Sequence, residues 1–533
     1  MYRLSIFMLL ASFALIFSDN SYANPPKHML AIIEEDANYL DFYDPINGKN
    51  LGSVHLGYLP HEIVISQDQK TAYICNFGIK DYDRNFGHPG TSISVVDIPS
   101  RTEKFRLFTF DATEHKDYAD IDKAPHGLKL RPPLEKELYV NIENGKKMLV
   151  FDVDTKKIIR QFATDSKAHN FVFSPDGKAL WIMAGPNGVF RMNAETGEVT
   201  GTVKFSTPVR GLKYTPDNHY LMASVVNEVD LIDPVKLTIA KKFDKLGMGQ
   251  ILYSDMSPNQ KYIVAPAPWN NQIVIIDVAT TKVVKRIVTG LSPTVAGVSP
   301  DSKYAYITNA IDKHLTKIDL NTFKTSQIPS KDSPNNIDFP TYQEQIPAKE
   351  LLLGVVLPLS GIDEPKGSDM MRGYEFWRFL VNEAGGILIN NQPYKIKILY
   401  ADTKSNSSNI YSLTKDLINK DKVKILLSTN GLSGYNLEKK VSIENNIPIT
   451  PAQTNQSTWE PNELAIGEDY FVTTKEYAKQ FYARYAFEAS NYTASATALG
   501  LALQKALEKA NSMDYKTLST ILSDDKFNIF YPY

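Results

Sequence analysis

Cysteine is almost absent. Cys75 is the only one in 533 residues, so no intramolecular disulfide and no Cys-x-x-Cys pair can form. A surplus of one charge is also missing: 58 Lys and Arg stand against 60 Asp and Glu, which argues against nucleic acid or an anionic surface as partner. The chain has no nucleophile elbow, no Walker loop and no His-Glu-x-x-His. Ser360 in PLSG and Ser433 in GLSG do not complete Gly-x-Ser-x-Gly. These absences point to a non-enzymatic protein with no resident metal and no cofactor. Long apolar runs are missing too. The one at Ile6–Phe17 falls short of the roughly 20 residues a spanning helix needs.

What is present at the start reads as an export signal over residues 1–23. Arg3 supplies the positive start, Ile6–Phe17 the apolar stretch, and Ser21-Tyr22-Ala23 a small-x-small cleavage pattern. The expectation is a periplasmic protein with no membrane anchor after cleavage, because no cysteine at the cleavage site offers a lipid attachment point. Asn406, Asn455 and Asn491 in Asn-x-Ser/Thr are then chance matches.

A repeat fills the first two-thirds. QIVIIDVATTKVVKRIVTG at Gln272–Gly290 is an apolar strand, a turn after Asp277, and a second strand. Asp44, Asp97, Asp152, Asp233 and Asp319 align with Asp277, and Asn193 takes that place in the remaining copy. Seven copies stepping by about 40–55 residues indicate propeller blades. Each is preceded by a strand–turn–strand unit such as HNFVFSPDGKALWIMAG from His169, whose Phe171/Phe173 and Leu180/Ile182 alternate with period two. Pro-Asp-Gly is turn chemistry. Four strands per repeat make a blade. Met29–Leu56 lacks an inner strand and Asn335–Phe339 has room for nothing more, so pairing the two closes a seven-bladed ring over residues 28–340.

SPDGKALWIM, SPDSKYAYITN and QIVIIDVATTKVV resemble the YVTN-type β-propeller family, whose members are mostly binding or scaffold proteins; related propellers include lactonases and haem-d1 domains. The aligned first positions of the inner strands are His61, His126, His169, Arg210, Leu252 and Thr294. They ring one mouth of the channel. Three imidazoles beside an arginine could hold a metal or an anion, or could simply cap their strands. Only Glu62, adjacent to the ring, offers a carboxylate, which counts against a calcium-dependent lactonase. The insertion Asp81–Gly90 and the acidic run Asp111–Asp122, with His88 and His115, read as loops.

Residues 341–349 read as a linker. Alternating strands and helices follow: strand Leu351–Leu357, helix Met370–Ala384 stopped by Gly385-Gly386, strand Lys395–Ala401, helix Ile410–Asn419, strand Val423–Leu427, helix Leu432–Asn445 and strand Ile447–Thr450. That order implies an α/β doubly wound parallel sheet over residues 350–533. GVVLPLSG, GYEFWRFLVNEAGGI, DLINKDKVKILLSTNGLSG and NNIPITPAQTN resemble the Leu/Ile/Val-type periplasmic solute-binding proteins of ABC importers. The resemblance implies a two-lobed clamp, but only about ten residues near Glu460–Asp469 stand where the second lobe belongs. A single lobe is therefore expected. By position the resemblance implies ligand contacts at Ser433, Ala452 and Thr454. It also implies an amino acid or other small polar solute as ligand, with ABC permease components as partner proteins. A protein-interaction scaffold without a ligand, or a propeller enzyme or cofactor carrier using the His/Arg mouth, are the alternatives.

Overall fold

The computed structural model describes residues 27–80, 83–110, 121–164, 168–429, 432–451, 470–471 and 474–524. The expected signal segment, His115, Ala452 and Thr454 lie outside the described residues. Seven four-stranded antiparallel sheets form the first part. Five are built from consecutive inner-to-outer strands, a sixth runs the same way with a small hairpin inserted after its second strand, and the seventh combines Leu30–Glu34, Tyr39–Tyr43 and Asn50–His55 with Pro334–Asp338 as its inner strand. Ala31 faces Asp338 and Ile32 faces Ile337, so the two chain segments close the ring as the incomplete repeats require.

The repeat has a local physical cause. Every turn residue it predicted accepts backbone N–H groups two or three positions on. Examples are Ile46 N–H to Asp44 Oδ1 at 2.7 Å, Thr155 to Asp152 at 2.6 Å, Glu195 to Asn193 at 2.8 Å, and Thr280 to Asp277 at 2.8 Å. These backbone bonds hold the carboxyls of Asp152, Asp233, Asp277 and Asp319 below their ordinary range. In five of the sheets the turn between the two innermost strands is pinned by a hydroxyl: Ser174 Oγ–H donates to Asp176 Oδ1 at 2.6 Å, and Ser299 Oγ–H to Asp301 Oδ1 at 2.7 Å. Between blades, apolar residues from facing sheets interdigitate, as Tyr73, Val95, Leu128 and Val140 do. Within the insertion expected to be a loop, Asp83–Gly87 pairs with Ile79–Lys80 as a small hairpin.

The second part has one mixed sheet. Lys349–Leu357 is central, parallel to both Gln392–Asp402 and Ile425–Leu426, and Ile387–Ile389 adds an antiparallel edge. That edge hairpin is absent from the sequence reading. The expected strand at Ile447–Thr450 is reduced to a single bridge, Leu426 to Ile449. The helices are α1 (Glu364–Glu383), α2 (Ile410–Asn419), α3 (Leu432–Asn445), α4 (Thr474–Tyr485), α5 (Asn491–Ala510) and α6 (Tyr515–Asp524). α1 and α5 pack closely because Gly500 leaves room for Trp377: a Cβ there would stand 2.3 Å from the indole. Among the described residues, no helix is long and apolar enough to cross a membrane.

The propeller meets this sheet at one end. Glu103 N–H donates to Ala384 O at 2.8 Å, and Tyr39 O–H donates to Glu383 Oε2 at 2.6 Å. Gly385, at φ +101°, lies so close that a Cβ would be 2.3 Å from Arg101 O. All three lobe residues follow or end α1, next to the amino ends of the parallel strands. The carboxyl ends point away from the propeller.

Candidate functional sites

At the carboxyl ends of the lobe strands, Asp402 organises two loops. It accepts Leu359 N–H at 2.8 Å, Ser360 Oγ–H at 2.6 Å and Lys404 N–H at 2.8 Å. The Ser360 hydroxyl first, then the Lys404 N–H, hold its carboxyl below the usual range. Ser405 Oγ–H returns to Ser360 O at 2.8 Å. The next loops are tied likewise: Ser428 N–H donates to Thr450 Oγ1 at 2.9 Å, and Ser428 Oγ–H donates to Pro451 O at 2.8 Å. Thr429 donates through N–H and hydroxyl to Glu438 Oε2, at 3.1 and 3.0 Å. Burial pushes Glu438 up to about 7 against those two bonds. Ser433 lies in the first turn of α3, beside this edge. Ser360, Ser428, Thr429 and Thr450 are strand-end polar groups that the sequence reading did not name as site residues. Their signal was position after a strand, where open α/β sheets bind ligands.

The second site is the propeller mouth. The inner strands enter through matching irregularities. Pro60 faces Asn76 and Ile63 faces Ile74, so His61 and Glu62 together oppose Cys75 alone. His126 and Gly127 oppose Asn141, and Thr294 and Val295 oppose Thr308, in the same two-for-one way. Such bulges re-aim side chains. His61 and Glu62, neighbours that a regular strand would send to opposite faces, are both buried, at 4% and 3% exposure.

Each opposing residue then stitches the ring to the next blade. Cys75 Sγ–H donates to His126 O at 2.7 Å, Asn141 Nδ2–H to His169 O at 3.0 Å, and Thr308 Oγ1–H to Asn335 O at 2.7 Å. Burial, then Glu62, raises the Cys75 pKa well above its ordinary value, so it stays a thiol donor.

The three histidines predicted from alignment come together. Ring centroids are 4.6 Å apart for His61 and His126, and 4.0 Å apart for His126 and His169. Arg210 remains exposed on its blade, and its backbone N–H bonds Ser224 O at 2.8 Å. Carboxylates the alignment did not place in the ring complete the cluster. Glu62 receives Asn170 Nδ2–H at 2.8 Å and Asn336 Nδ2–H at 2.9 Å. Asn335 Nδ2 lies 2.9 Å from Glu35 Oε2 and 2.8 Å from His61 Nδ1. Glu143 Oε2 lies 3.8 Å from His169 Nδ1. Glu35 and Glu143 sit on other strands and turns, so no strand-entry alignment reveals them.

A third feature is a cleft of about 610 Å³ between the two parts, lined by His55, Tyr58, Arg106, Phe379, Glu383 and Glu476 among others. His88, from the insertion, stands 3.6 Å from Glu476 of α4 across this junction.

Residues 350–510 match the model of the periplasmic binding protein family. Antigen Lp49 of Leptospira interrogans is 26% identical over 181 residues, which cover 31% of this chain and 36% of that protein. The match thus spans about a third of the length of that curated relative. Among solved structures, the hydrazine synthase of Kuenenia stuttgartiensis aligns over 54% of this chain and 91% of its own, with 21% identity and a TM-score of 0.45. A functionally unknown protein from Desulfotomaculum acetoxidans aligns over 59% of this chain and 99% of its own, with 11% identity and a TM-score of 0.48. The seven closed sheets and the family match together identify the chain as a seven-bladed β-propeller fused to a single lobe of the periplasmic binding protein kind.

Proposed function

We propose that the protein is an exported, non-enzymatic binding protein that serves an ABC-type import system in the periplasm. Its lobe recognises an amino acid or other small carboxylate at the carboxyl ends of its strands. The observation that carries this reading is the polarity of the domain junction. The propeller holds the lobe by Ala384 and Gly385, at the opposite end of the sheet, which leaves the Asp402, Ser428 and Thr450 edge clear. Ser433 lies in the first turn of α3 beside that edge, the family resemblance adds Thr454 as a contact, and N–H groups opening α3 suit a carboxylate. With one lobe the ligand stays half exposed, so affinity is weaker than in a closed clamp, or a permease subunit covers the open side.

Thermal unfolding of the mature chain against amino acids and small carboxylates tests this. A ligand that binds only the folded state raises the midpoint. A rise abolished by Thr454→Ala supports solute recognition by the lobe. No rise at millimolar ligand favours the second reading, a scaffold whose two parts are both docking surfaces.

A further inference from the structure

We propose that the propeller mouth is a binding site for one divalent first-row transition-metal ion, held by His126, His169 and Glu143. Two groups of donors at the mouth have their atoms mutually within 4.8 Å: His61, Glu62 and His126, and His126, Glu143 and His169. They share His126, and their chemistry differs. In the first group both Glu62 oxygens are engaged by amides of Asn170 and Asn336, and His61 Nδ1 is engaged by Asn335. Glu62 therefore acts as a brace across the channel. In the second group the Glu143 carboxylate and His169 Nδ1 stand 3.8 Å apart, close to the roughly 3.4 Å between two ligands of a tetrahedral ion with bonds near 2.1 Å.

The second group is also reachable. Side-chain exposure is 12% for His169 and 24% for Glu143, whereas His126 is fully buried and anchors the inner side. The backbone holds the donors in place, because the His126 and His169 carbonyls accept Cys75 Sγ–H and Asn141 Nδ2–H. Gly127 lets the next blade approach: a Cβ there would lie 2.7 Å from Asn170 Oδ1. Two imidazoles and one carboxylate suit zinc, cobalt, nickel or iron(II) and leave open positions for water or substrate. They do not suit calcium, which takes six to eight oxygens.

The test is Co²⁺ titration of the untagged mature chain, read by visible d–d absorption and by equilibrium dialysis, followed by displacement with Zn²⁺. One Co²⁺ per chain, with affinity reduced at least about tenfold in both Glu143→Gln and His169→Gln and retained in Glu62→Gln, is the expected result. Circular dichroism of each variant confirms that it is folded, and the two ligand variants serve as independent checks on each other. Absence of stoichiometric binding overturns the proposal. So does binding that survives Glu143→Gln, or loss in Glu62→Gln alone, which would put the ion on the other group.

Discussion

Asn170 donates its side-chain amide to Glu62 Oε1 at 2.8 Å, joining residues 108 positions apart on blades that are not neighbours. Such a bond can exist only through the central channel. Asn336, from the closing strand, takes the other Glu62 oxygen at 2.9 Å. One buried carboxylate thus links three blades at the mouth.

Asn170→Ala should therefore cost more than an ordinary polar substitution. A hydrogen bond to a charged group contributes about 1.5–3 kcal/mol, and a comparable loss is expected in urea unfolding. Asn336→Ala should behave alike. The double variant should show coupling, since both amides serve the same carboxylate.

Glu438 gives a pH signature. Its native pKa is pushed up to about 7 from 4.5 by burial, although Thr429 donates to it twice. The native state thus keeps a proton that the unfolded chain releases. The associated stability is present in full below the unfolded value and is lost as pH rises through about 7. The loss by pH 8 is about 3 kcal/mol. Glu438→Gln should flatten that limb of a stability–pH curve. A residual slope belongs to Glu34, buried in the propeller and raised to about 7 by burial and by Asp41.

Gly385→Ala should separate the two parts without unfolding either. The added Cβ would lie 2.3 Å from the Arg101 carbonyl, and φ is +101°. Small-angle scattering should show a larger radius of gyration, and one thermal transition should become two. Tyr39→Phe, which removes only the bond to Glu383, should weaken the junction by about 1 kcal/mol.

Ending the chain after Ser333 should abolish cooperative propeller unfolding, because Pro334–Asp338 is the inner strand of the sheet begun by Leu30–Glu34. Ending it after Ala348 keeps that strand, together with the Met29 N–H to Pro340 O bond and the His28–Thr341 bridge. That shorter protein should melt cooperatively.

The blades were legible because their determinants are local. Asp44, Asp152 and Asp277 each bond backbone two or three residues away, so one sequence window carries turn and strand pattern together. Ring closure was legible from two incomplete repeats that complement each other. Helices α2 and α3 matched their expected bounds, whereas the edge hairpin Ile387–Gln392 was missed because it is short and sits against the helix stop. The mouth was half legible. Aligned histidines marked it, but Asn335 and Glu35, 300 positions apart, meet only through ring closure. The bulge at His61 and Glu62 leaves no trace in composition. The junction could not be read either. It depends on Gly385, which a sequence shows only as a helix stop.

Hydrogen exchange of the full mature chain, in a millimolar mixture of amino acids and small carboxylates against buffer, tests the central claim most directly. Slowed exchange at Ser360, Asp402–Ser405, Ser428–Thr429 and around Ser433 and Thr454, with the blades unchanged, is the predicted result. No change anywhere, or protection confined to the propeller, would contradict recognition by the open edge of the lobe.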